Sequence, residues 1–179
     1  MPFRLSRRSR PTLNLDTELR FHEARELHHF VGRLLEGADP SELTPIAARL
    51  NASGYHLRIT RDLEVAKGYL RERYAEDRSA RFGLIASSKD KDLVRFGVPN
   101  DFQSTKRVRF GPWYGQDEDD YDGQSCRLLE TCVTEFGAQG LELDAALLAW
   151  GTDLAWQGAR WSTSRAADQT PIRCQQRSV

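Results

Sequence analysis

Apolar positions along the chain switch between helical and strand-like spacing. Leu27, Phe30, Val31, Leu34 and Leu35 recur at three- and four-residue steps, which predicts one helix with an apolar stripe. Gly37 follows as its C-terminal cap. Asp39 and Pro40 form an N-cap and first-turn proline for a second helix carrying Leu43, Ile46, Ala47 and Leu50, which Pro45 splits or kinks. Residues 54–60 then alternate, with Tyr55, Leu57 and Ile59 on one face, as a strand does. Thr60 caps a helix expected over 61–76, with Leu63, Ala66, Leu70 and Tyr74 on its inner face. Residues 82–86 read as a buried strand and 131–134 as a short β-branched one. The apolar run 145–150, stopped by Gly151, suits a strand buried on both faces. Leu13 and Leu15, alternating with Asn14 and Asp16, predict one more strand near the amino terminus. Strands interleaved with helices argue an α/β fold around a parallel sheet.

Between these elements lie the segments that can carry chemistry. Ser87, Ser88 and Lys89 sit where a strand ends and a helix over 90–96 begins. Hydroxyls at a helix amino terminus grip phosphate, and the plainer alternative is that Ser88 is an N-cap. Residues 97–124 read as a long insertion with little regular structure, holding Lys106, Arg107 and Arg109, then Trp113 and Tyr114, then acidic residues over 117–122. Cations beside aromatics bind single-stranded nucleic acid by charge and base stacking; Trp113 and Tyr114 equally serve to pin the segment to the body. In 134–144, Gly137 and Gly140 stand among Thr134, Gln139 and Glu142, a polar turn after a strand that is either a ligand loop or a plain connection.

Totals narrow the classes. A length of 179 residues suits one domain with its own core. Lys plus Arg balances Asp plus Glu at 26 each, so any attraction for a polyanion is local, in the cluster at 106–109 or in Arg4, Arg7, Arg8 and Arg10. Three cysteines, Cys126, Cys132 and Cys174, lack paired spacing and fit a reducing compartment. No apolar stretch is long enough to span a bilayer, and the basic start lacks a signal-peptide core. A cytoplasmic protein without a membrane partner is expected. His22, His28, His29 and His56 have no metal-ligand spacing, so no metal site is expected.

The run from Thr134, Thr-x-x-x-x-Gln-Gly-Leu-Glu-Leu-Asp before an apolar strand, resembles motif V of superfamily 1 helicases. More narrowly, residues 13–161 resemble the carboxyl-terminal half of the schlafen-group-3-like DNA/RNA helicase domains. The resemblance implies a three-layer parallel sheet of the RecA-like second domain, of P-loop NTPase type but without its own P-loop. It implies nucleotide contacts from Arg20, Gln139, Gly140 and Glu142, with Glu142 accepting from a ribose hydroxyl. Contacts to the nucleic-acid backbone are implied for Thr134, Ser87 and Ser88, beside the basic pair Lys106 and Arg107. Arginine suits phosphate because its planar donor fork binds two oxygens at once. Phe136 stands where many helicases have histidine. No G-x-x-x-x-G-K-[ST] stretch occurs, and no later arginine-bearing motif VI is found. The expectation is therefore a truncated second half, with 1–12 and 162–179 as disordered or truncated ends. Such a half contributes contacts without hydrolysing ATP alone. ATP and Mg²⁺ are implied only for a complete two-domain relative, and none is expected for this chain alone. Its partners are DNA or RNA and a P-loop-bearing RecA-like half, in cis or in trans. The alternative is a nucleic-acid or protein interaction module, a degenerate remnant without ATP-linked activity.

Overall fold

A computed structural model describes residues 25–120, 123–157 and 160–163. The expected strand at 13–16 and the terminal segments lie outside the described residues. The chain divides into two compact units between Leu57 and Arg58.

The first unit holds helices α1 (Arg25–Glu36) and α2 (Pro40–Ala52), packed on one another. Gly37 takes φ 82°, and Ala38 N–H reaches back to the Arg33 carbonyl at 3.0 Å, closing α1 with the left-handed cap a glycine permits. Asp39 caps α2 by accepting from Ser41 N–H at 2.8 Å, and Pro40 opens it. Pro45 does not split the helix, which runs unbroken to Ala52. Arg33 joins the pair through Glu36 on its own helix and Glu42 on α2. The apolar stripe of α1 is only half covered, with Val31 and Leu35 exposed.

The strand expected over 54–60 does not form. Ile59 is 84% exposed, and the backbone bonds there are local, Tyr55 N–H to Leu50 and Leu57 N–H to Tyr55. Alternation marks a strand only where another strand pairs with it, and none does here among the described residues.

The second unit is built on a three-stranded parallel sheet in the order β2–β1–β3, with β1 (Phe82–Ala86) between β2 (Cys132–Thr134) and β3 (Ala145–Ala149). Helix α3 (Leu63–Arg73) starts later than expected because Asp62, not Thr60, caps it, accepting from Glu64 and Val65 N–H. One sheet face packs Phe82, Leu84, Ala86 and Cys132 with Leu70, Leu93, Val98 and Leu129, and Tyr74 stacks on Phe82 at 5.3 Å. Arg127 is buried beside this cluster. It donates to the carbonyls of Asp77, Ala80 and Tyr74 and to Glu118, and lies 4.9 Å from the Phe82 ring centre.

Residues 97–124 are not an irregular insertion. They form α4 (Phe102–Lys106), capped by Asp101, and α5 (Phe110–Gly115). From α5 the Trp113 ring, fully buried, covers the second sheet face with Val133, Cys126 and Val108. A Cβ on Gly83 would stand 2.6 Å from Trp113, so only glycine admits the ring there. The acidic residues that follow are partly paired: Asp117 with Arg81, Glu118 with Arg127 and Asp119 with Arg78. β3 is not buried on both faces. Ala146 is exposed, Leu148 is 58% exposed, and β3 is an edge strand among the described residues. Past it, β4 (Ala155–Gln157) and β5 (Arg160–Ser162) form a hairpin in which Trp156 and Trp161 meet edge to face at 5.2 Å. Among the described residues no helix is long and apolar enough to cross a membrane.

Two measurements follow from this packing. Gly83→Ala forces a methyl against Trp113 and is expected to lower unfolding free energy by about 1–3 kcal/mol in urea titrations. Burial pushes the Cys132 thiol up to about 12 and that of Cys126 upward as well, so both stay protonated. Neither should react with a thiol reagent at about pH 8 until the chain unfolds, as a thiol count with and without denaturant reads directly.

Candidate ligand-binding edge of the sheet

Because the three strands are parallel and in register, they end together. Ala86 of β1 pairs with Thr134 of β2 and with Ala149 of β3, so the loops that follow all leave from one edge. Ligands of open parallel sheets bind outside such an edge. Ser87, Ser88 and Thr134, chosen from sequence, do meet there.

Both serines are engaged by carboxylates from the flanking loops. The Ser87 hydroxyl donates to the Asp153 carboxylate, and Lys89 N–H donates to the Ser87 oxygen at 3.2 Å. Ser88 donates twice to Glu135, from its N–H at 2.8 Å and from its hydroxyl at 2.6 Å. Burial works against ionisation of Glu135, but the two Ser88 bonds and the nearby Lys89 outweigh it and hold the carboxyl below its ordinary pKa. Ser88 is not an N-cap: Asp90 caps the short 3₁₀ turn Lys91–Phe96, accepting from Asp92 N–H at 3.0 Å.

Beneath the serines lies a buried polar knot. Asp90 is fully buried and accepts from Thr152 at 3.3 Å, while its other oxygen, Oδ2, has no hydrogen-bond partner. Asn100 donates its amide to the carbonyls of Ser87 and Asp90. A Cβ on Gly151 would lie 2.5 Å from Asp90 Oδ2, so this glycine lets the loop after β3 close over the aspartate.

The segment after β2 is a turn. Ala138 N–H bonds the Thr134 carbonyl at 2.9 Å, Gly140 takes φ 85°, and Gln139, Gly140 and Glu142 are exposed. The α4–α5 segment packs against it. Phe110 lies so close to Gly137 that a Cβ there would stand 2.6 Å from its ring, and the Tyr114 hydroxyl donates to the Glu142 carbonyl at 2.7 Å. Lys106 and Arg107 are exposed at the end of α4, with the Lys106 ammonium 5.5 Å from the Phe102 ring centre. Phe102, Phe110 and Phe136 all keep large exposed areas near these cations and this turn. Arg20 lies outside the described residues. Among those described, no three His, Cys, Asp or Glu side chains are placed to hold a metal ion.

Glu135, Asp153, Asp90 and Asn100 were missed in the sequence. Glu135 stands 47 residues from the serine it binds, and only parallel pairing of β1 with β2 brings the two together. Gly151→Ala should drive a methyl into Asp90 and cost about 1–3 kcal/mol of stability, measured by urea unfolding.

No curated protein and no solved structure matches the chain. The family model for the Schlafen group 3 DNA/RNA helicase domain matches residues 4–178, nearly the whole length. The chain belongs to the Schlafen group 3 DNA/RNA helicase domain family.

Proposed function

We propose that this chain acts as the second, RecA-like half of a superfamily 1 helicase-like ATPase, a three-layer domain without its own P-loop. In this reading it lends contacts to a reaction whose P-loop, ATP and Mg²⁺ are held by another RecA-like half, in cis or in trans. Arg20, Gln139, Gly140 and Glu142 face the nucleotide. Ser87, Ser88, Thr134, Lys106 and Arg107 face the backbone of a DNA or RNA strand. The observation that carries the reading is the common edge of three parallel strands, from which the turn bearing Gln139, Gly140 and Glu142 departs directly after Thr134. An edge of this kind positions groups around a phosphate-bearing ligand, and phosphoryl transfer depends on such positioning.

A stand-alone interaction module would gain support from a basic, aromatic segment remote from that turn. Instead Phe110 and Tyr114 hold α4 and α5 against it, an arrangement that favours one continuous surface.

Titration of the purified chain with labelled single-stranded DNA and RNA over a range of salt tests the proposal. Binding should weaken as salt rises, because each neutralised phosphate releases counterions. Replacing Lys106 and Arg107 together by alanine should flatten the salt slope by about 1.4, and Thr134→Ala should weaken binding further. No binding at any salt would overturn the nucleic-acid reading, and ATP turnover by the chain alone would overturn the half-enzyme reading.

A further inference from the structure

We infer that Ser88 forms the donor end of an oxyanion site for a phosphate group, and that Glu135 is its resident competitor, an internal carboxylate that a ligand must displace. The carboxylate takes the backbone N–H and the hydroxyl of one residue, with one oxygen on each, at 2.8 and 2.6 Å. A phosphate monoester or diester presents the same pair of oxygens to the same pair of donors. Lys89, whose charge favours the ionised form of Glu135, would favour a phosphate there for the same reason. The contact is exposed, so a ligand reaches it without opening the core.

Ser87 is held in a similar way by Asp153, so each serine after the central strand is tied to a different neighbouring loop. Glu135 directly follows Thr134, the last residue of β2, so the internal carboxylate stands at the start of the turn carrying Gln139, Gly140 and Glu142. A carboxylate placed by the fold competes as an internal ligand, with no translational freedom of its own to lose. Free phosphate meets this competitor with a single attachment, whereas a polymer also held by Lys106 and Arg107 would add a second. The inference rests on the proposed function only for the identity of the polymer.

The test uses the ¹⁵N-labelled chain as wild type, Glu135→Ala, Glu135→Gln and the double variant Glu135→Ala with Ser88→Ala. Each is titrated with inorganic phosphate at constant ionic strength, following the amide of residue 88, and separately with a labelled single strand. Glu135→Ala should bind phosphate at least about tenfold more tightly than wild type, Glu135→Gln less so, and the double variant should lose most of the gain. The glutamine variant keeps the side-chain shape and supplies the answer if the alanine variant unfolds. Tighter phosphate binding without any strand binding would uphold the site and remove the nucleic-acid reading. Should neither Glu135 variant gain phosphate affinity, or should the double variant keep the gain, Glu135 is a structural staple and the inference is overturned.

Discussion

The contact between Trp113 and Gly83 is the constraint on which the second unit depends. A fully buried indole over a strand glycine leaves no room for a side chain and little for backbone movement. Because the ring comes from α5, its seating fixes that helix on the sheet, and with it Phe110 against Gly137 and Tyr114 against the Glu142 carbonyl. A segment that reads as a polar insertion is thus one wall of the candidate site. Arg127 does comparable work by polar means. Its guanidinium gathers three carbonyls and Glu118, so burial of its charge is offset by four oxygens and an aromatic face.

Local signals were the most legible ones. Gly37 and Asp39 mark helix ends because their effects act within a few residues, and β1 is apparent from its apolar run. Elements whose existence depends on distant partners were not. Residues 54–60 have the alternation of a strand and no partner strand among the described residues, whereas α4 and α5, of five and six residues, are too short to display a helical period. The run 145–150 reads as doubly buried because its residues are apolar, but cover is a property of the assembled layers, and α5 reaches only part of the sheet. The pairing of Asp117, Glu118 and Asp119 with Arg81, Arg127 and Arg78 was invisible without the fold.

The same distinction applies to the site. Thr134, Gln139, Gly140 and Glu142 lie on one short turn and could be chosen together from sequence. The carboxylates that answer Ser87 and Ser88 come from two other loops and are brought in by strand register alone. Their presence makes the edge electrostatically self-satisfied: donors suited to anions are already supplied with anions from within the chain. Under the proposed displacement of Glu135, recognition at this edge would be an exchange of partners rather than the filling of a gap, with a cost set by how firmly the internal partners are held.

The outer side of β3 has a consequence of a different kind. Its sequence is Ala-Ala-Leu-Leu-Ala, without a charge or a proline, and Leu148 faces outward on a strand that is unpaired on one side among the described residues. Proteins usually guard such edges with lysine, proline or a bulge, because an open row of backbone donors and acceptors adds whichever strand arrives first. At dilute concentration that encounter is rare, whereas at the concentrations of recombinant overproduction it competes with folding itself. Among the described residues, this uncharged alanine and leucine edge is thus a place where an arriving strand would pair, a tendency that the balanced net charge does nothing to oppose.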